Sequence, residues 1–230
     1  MKKILLIISL VAFFAIGGSA QSKSTAFGIK FGPSFDWASS GSTAASSGKL
    51  GMGCNLGLVI DHYYSSNFAI SSGLNFNYLR MNYQFTDIRR IQDFLEEVPV
   101  SVNRKVKGSY FEVPIKAKVK IDIIDSWAAF VEAGAGLSFN TADMVKDKYT
   151  YKWVSYADET FQDYRSYYSW FQASINFGVG AEFEVNRNLS LFAQLTFNHA
   201  LTNTFSKQIE KLTGSVLNTN FIGVEVGFLL

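Results

Sequence analysis

His62 and His199 are the chain's only imidazoles, and Cys54 is its only cysteine. A histidine beside a serine and an acid could serve as the base of an acyl-transfer or lipid-modifying site. His199 alternates in step with Phe197 and Leu201, neither of which can act as a nucleophile. No His-x-x-x-His spacing or cysteine cluster suits a metal, so no metal or other cofactor is expected. One cysteine cannot form an internal disulfide. Charge is the denser signal. Glu112, Lys116, Lys118 and Lys120 occupy alternate positions of one stretch, and Lys30, Asp61, Glu132, Glu182, Glu184 and Glu225 hold the polar parity of others. A third group is aromatic: Tyr149, Tyr151, Trp153, Tyr156 and Tyr164 stand among Asp147, Lys148, Asp158 and Arg165. Such rings, with polar tips, suit a protein or glycan contact surface.

These groups sit on segments of period two, and successive strand residues point to opposite faces. In the last segment Ile222, Val224, Val226, Phe228 and Leu230 oppose Gly223, Glu225 and Gly227. Seven others precede it, at about Phe27–Trp37, Met52–Asp61, Phe68–Tyr78, Tyr110–Ile121, Trp127–Asn140, Phe171–Glu184 and Leu189–Leu201. The connections alternate long and short. Centring one short turn at Ile124 sets Lys116 opposite Glu132, and centring another near Arg187 sets Glu182 opposite Phe192. Gln84–Val106 and Thr141–Tyr168 read as long connections. Helix-like spacing within Asp87–Val98 and Ser206–Leu212 suggests short helices on a rim. Pro114, without an amide donor, suggests a bulge.

Met1-Lys2-Lys3, the apolar run from Ile4 and the small residues Gly18-Ser19-Ala20 form a secretory signal peptide at residues 1–20, leaving 21–230 as one domain. Without Lys2 and Lys3 the bases equal the 19 acids, so nothing favours nucleic acid. One parity of the segments carries almost no charge. Phe, Val, Ile and Leu on the outside of every strand would aggregate in water, whereas lipid requires them. The expected fold is therefore all-β: an eight-stranded antiparallel up-and-down transmembrane β-barrel in the outer membrane, with short periplasmic turns and long extracellular loops. Trp37, Trp127, Phe27 and Phe183 fall where interfacial aromatic girdles lie.

Tyr110-Phe111-Glu112-Val113-Pro114-Ile115 resembles the Tyr-Leu-Glu-Ile-Pro strand signature of the PorT-like outer-membrane β-barrel proteins, small barrels common in the Bacteroidota. That resemblance implies an eight-stranded barrel in the outer membrane but little activity, and one branch of the family is associated with protein secretion. Eight strands leave an interior just wide enough for side chains, so Lys–Glu pairs are expected to plug it. The leading expectation is a monomeric, non-enzymatic barrel in outer-membrane lipid, with loops that contact a protein, glycan or envelope partner. A lipid-modifying enzyme using His199, a narrow pore and a secretion accessory are the alternatives.

Overall fold

The computed structural model describes residues 25–40, 45–90, 97–151, 154–155, 159–162, 168–206 and 216–230. The signal segment at residues 1–20 lies outside them. Eight long strands follow in order: β1 (Thr25–Ser40), β2 (Gly51–Tyr63), β3 (Phe68–Arg90), β4 (Glu97–Ile124), β5 (Trp127–Tyr151), β6 (Phe171–Asn186), β7 (Leu189–Ala200) and β8 (Leu217–Leu229). Each pairs antiparallel with its chain neighbours, and β8 pairs with β1 through Ile29↔Phe228 and Phe35↔Ile222. Phe27 and Leu230 exchange both backbone hydrogen bonds at 3.1 and 2.7 Å, which closes the ring at its seam. Short strands at Ala45–Ser47, Val154–Ser155 and Glu159–Gln162 widen the sheet beside β3 and β5. They lie toward the end that carries the long connections, here called the distal end.

Over the proximal half the faces are those the alternation predicts. Phe31, Leu56, Ile115, Val131, Phe177, Leu195 and Val224 are exposed, while Lys30, Asn55, Glu112, Glu132, Asn176, Gln194 and Glu225 are buried in the lumen. The described residues 84–90 and 97–106 are strand rather than loop or helix, as are 141–151. The paired ladder runs out to Arg90↔Glu97, and residues 91–96 lie outside the described set. Of the Ser206–Leu212 run, only Ser206 is described. At 28 residues, β4 spans roughly 90 Å of contour at about 3.3 Å per residue. A tilted strand needs only about 9–11 residues to cross a bilayer, so more than half of β4 stands clear of the membrane.

The distal half reverses the polarity of the proximal half, and this is why period-two reading broke down there. Below Tyr110 on β4, Phe111, Val113 and Ile115 face out. Above it, Val100, Val102 and Val106 face in, and Ser101, Lys105 and Lys107 face out. On β5 the register slips between Ser109 and Tyr110, and Thr141 is the extra residue. The slip moves the inward set from even positions (Glu132, Ser138) to odd ones (Asp143, Val145, Asp147). A bulge that re-aims a strand is the expected device for such a change. The protein is thus a lipid-facing barrel that continues as a water-facing one.

Two local expectations fail. The β4–β5 turn is Asp125-Ser126, with Ser126 at φ 70° and the ladder slipping between Asp122 and Ile124, so Lys118, not Lys116, lies opposite Glu132. Pro114 sits in regular register with Gly136, without a bulge of its own. The irregularity falls on the other neighbour. The β3–β4 ladder skips from Ser72↔Ile115 to Asn75↔Glu112, and Gly73 takes φ 152° where Pro114 offers no amide. Only glycine adopts that backbone without strain. Glu182 does lie opposite Phe192.

Candidate functional site

The lumen is built in tiers, each held by inward residues of different strands. Nearest the short turns, Ala26, Phe130, Phe192 and Leu229 form an apolar floor, and the Lys118 ammonium lies 4.4 Å from the Phe130 ring centre. Above it, Lys118 Nζ stands 2.6 Å from Asp61 Oδ2 and 3.5 Å from Glu182 Oε2, and Lys120 Nζ stands 3.0 Å from Glu182 Oε1. In the next tier Lys30 Nζ donates to Glu225 Oε2 at 2.9 Å, Gln194 donates to the same oxygen at 2.6 Å, and Lys116 pairs with Glu132. Lys116 reaches Glu132 diagonally, so the pair survives the register change. Gly178 makes room for Glu132, since a Cβ there would come within 2.6 Å of its Cγ.

The upper polar tier is a carboxylate cage that the sequence expectation missed. Glu112, 1% exposed, was expected to pair with lysine. Its Oε1 instead accepts from Asn176 at 2.9 Å, Asn198 at 3.0 Å and Ser174 at 3.3 Å, and its Oε2 accepts from Asn77 at 2.9 Å and Asn75 at 3.3 Å. The available signal was four asparagines at inward parity on three strands, level with one glutamate. Asp36 is tied nearby to Ser34 Oγ at 2.6 Å and to the Arg80 amide at 2.8 Å. Glu184 is the expected network member the structure leaves out. It lies one pleat beyond Glu182, exposed at the proximal mouth.

Above the cage the interior is mainly apolar. Ala38, Met81, Tyr83, Val106, Val145, Tyr168, Phe205 and Leu217 pack together, with Leu79, Tyr110 and Phe221 beneath. An ion pair crosses this region. Arg104 Nε and Nη2 grip Asp147 Oδ1 and Oδ2 at 2.7 and 2.6 Å in a bidentate fork. Burial alone would pull the guanidinium down, but the Asp147 hydrogen bonds, together with the electrostatic pull of Tyr83, Tyr168 and Asp147, hold Arg104 above the usual arginine range. Cavities among the lumen charges amount to about 10 and 20 Å³, room for about one water each.

The other candidates are scattered. His199 Nδ1 meets Asn220 Oδ1, and Asn220 Nδ2 donates to Ser39 Oγ at 3.0 Å, so the asparagine stands between histidine and serine. A base must touch its nucleophile, and in this structure Asn220 holds the place between them. His62 Nδ1 is 2.9 Å from Thr25 Oγ1 near the short turns, and Cys54 lies exposed on the lipid-facing parity. Among the described residues no three His, Cys, Asp or Glu side chains gather to hold a metal. Tyr149 and Tyr151 are part of β5, whereas Trp153, Tyr156 and Tyr164 lie outside the described residues. Trp127 packs on Phe183 at the proximal end, 5.0 Å between centroids, and Trp37 on Phe197 at the other edge of the belt, 6.3 Å apart.

An apolar belt around a charge-filled lumen defines the class of small outer-membrane barrels. The chain belongs to the outer membrane protein beta-barrel domain family, whose model matches residues 19–206. Among solved structures it is similar to Neisserial surface protein A at 10% identity and TM-score 0.46, covering 89% of this chain and 97% of that one. It is also similar to Ail, the attachment invasion locus protein of Yersinia pestis, at 13% identity and TM-score 0.39, covering 90% and 99%. A third similarity is to the outer membrane protease OmpT from Escherichia coli, at 9% identity and TM-score 0.39, covering 93% and 98%. No curated protein matches by sequence.

Proposed function

We propose that the protein is a non-enzymatic, non-conducting, monomeric barrel, and that its work is done by the distal barrel, held outside the cell to contact a protein, glycan or envelope partner. The observation that carries this reading is a lumen filled twice over, by ion pairs and amides within the belt and by an apolar core above it. A pore requires a continuous wet path, and the gaps among the lumen charges hold about one water each. The long distal strands are rigidly built, unlike mobile loops, and a rigid element presents a binding surface at lower entropic cost. The His199–Asn220–Ser39 order favours the non-enzymatic reading over lipid modification.

Assignment to the PorT-like branch is part of this proposal. It rests on Tyr110–Ile115, where Glu112 is the cage hub and Pro114 sets the Gly73 irregularity. A role as a secretion accessory is one form the partner contact takes.

The test joins three assays. Planar-bilayer recordings should be silent, and a His199→Ala strain should show an unchanged lipid profile by mass spectrometry. Replacing residues 84–102 with a two-residue turn should leave heat-modifiable gel mobility intact but remove cross-links formed in whole outer membranes. Steady unitary currents, an altered lipid profile, or cross-links that survive the replacement would each overturn the reading.

A further inference from the structure

The outer wall of the distal barrel carries a one-sided charge pattern, set apart from the ion pairs of the lumen. Arg80, Lys105, Lys107 and Lys148 are exposed on the outward parity of β3, β4 and β5, and register brings them together: Arg80 lies opposite Lys107, and Asn103 opposite Lys148. Lys146 stands directly opposite Lys105 on the same face. Like charges facing each other across a sheet, as Arg80 and Lys107 do, destabilise it. The outward positions Arg80–Ile88 of β3, Pro99–Ser109 of β4 and Ala142–Thr150 of β5 include no Asp or Glu. Asp87, Asp143 and Asp147 take the inward parity instead.

Height is the second observation. Directly beneath this cluster on the same strands lies an aromatic edge, with Phe76 and Phe111 5.3 Å apart between centroids and Phe139 6.0 Å from Trp170. Arg80 is two residues above Tyr78, whose ring lies 5.5 Å from its guanidinium carbon. Lys107 is four residues above Phe111, roughly 13 Å along the strand. At that height Arg80 and Lys107 meet the phosphates of the adjacent leaflet, not its acyl chains, and Lys105 and Lys148 follow two and four residues further out.

We infer that Arg80, Lys105, Lys107 and Lys148 form a docking surface for the phosphorylated headgroup of an outer-leaflet lipid. The occupant supplies counter-charge that the described outward positions of β3, β4 and β5 do not, and it braces the distal barrel against the membrane on its β3–β5 side. This rests on the distal end facing outward, as proposed above.

The experiment uses the full chain in phosphatidylcholine nanodiscs doped with a bisphosphorylated disaccharide glycolipid or with its dephosphorylated counterpart. Lipids retained by the protein after delipidation are counted by native mass spectrometry. The wild-type chain should keep the phosphorylated lipid preferentially. The quadruple variant Arg80→Gln, Lys105→Gln, Lys107→Gln, Lys148→Gln should lose that retention by more than about tenfold, because basic residues at a membrane surface act additively on anionic lipid. Its heat-modifiable mobility should be unchanged. Equal retention of both lipids, or undiminished retention by the variant, overturns the inference. So does binding of a soluble polyanion without retention of the lipid. A spin-label accessibility scan of β4 reports separately whether the distal end clears the membrane, so failure of that premise is distinguishable from failure of lipid docking.

Discussion

Glu112→Gln is the sharpest single test of the lumen. It changes no volume but removes a charge and turns one acceptor oxygen into a donor. The Oε1 side keeps its acceptor for Asn176, Asn198 and Ser174, while the Oε2 side meets Asn77 at 2.9 Å and Asn75 at 3.3 Å, donor against donor. A hydrogen bond to a charged group contributes about 1.5–3 kcal/mol. The Asn77 bond is lost at about that value, and the long Asn75 bond adds less. Removing the charge also removes its desolvation cost, which works in the opposite direction. With five donors already aimed at the carboxylate, the hydrogen-bond loss prevails, and the net destabilisation is about 1–3 kcal/mol. Urea titration of the refolded barrel in phospholipid vesicles, read by tryptophan emission and gel mobility, measures it as a lower midpoint at unchanged slope. Stability equal to or above wild type would refute the cage as a carboxylate site and mark Glu112 as a tolerated liability.

Other consequences follow from the same geometry. Lys118→Met strands the buried Asp61 carboxylate, while Glu182 keeps Lys120 at 3.0 Å, and should cost about 3–5 kcal/mol, part of it restored by adding Asp61→Asn; no recovery in the double variant would count against the pairing. Arg104→Met leaves Asp147, which is fully buried, without its fork. Amide exchange should then accelerate across Val100–Val106 while Phe111–Val119 stays protected, and uniform acceleration would show that the distal barrel is not a separate stability unit. Burial raises the hydroxyls of Tyr83 and Tyr168, which meet at 2.9 Å. A phenol with a raised folded value stabilises fully below its free value of about 10 and loses that contribution as pH climbs from there toward the folded value. Near-UV circular dichroism from pH 8 to 12 should therefore show distal loosening only on the alkaline side. Tyr83→Phe should blunt it, and an identical alkaline loss in that variant would remove the tyrosine pair as the cause.

Ring closure, the lipid-facing parity and most lumen residues were legible in the sequence because one rule, apolar out and polar in, holds from Phe27 to Trp37 and from Phe111 to Phe139. It fails where the solvent changes. Above Tyr110 the outward neighbour is water, so Val100, Val102 and Val106 turn inward and Lys105 and Lys107 outward. A reader tuned to the belt sees a loop with helix-like spacing. The cage around Glu112 was hidden for a different reason. Asn75, Asn77, Asn176 and Asn198 sit at the correct parity, but their common height depends on registers between strands. A two-residue error of the kind made at the β4–β5 turn moves every partner by one pleat. Asn220, between His199 and Ser39, was invisible because the three come from β7, β8 and β1.

The central claim is that one set of strands serves two solvents in succession, with the change at Tyr110. Nitroxide labels at outward positions of β4, from Ser101 through Lys105, Lys107 and Ser109 to Phe111, Ile115 and Val119, test it in a single scan of the protein in bilayers. Strong collisional broadening by a water-soluble nickel chelate is expected from Ser101 to Lys107, and by oxygen from Phe111 to Val119, with the crossover at Ser109–Phe111. Oxygen-dominated broadening at Lys105 and Lys107, or a crossover displaced below Ile115, would contradict it.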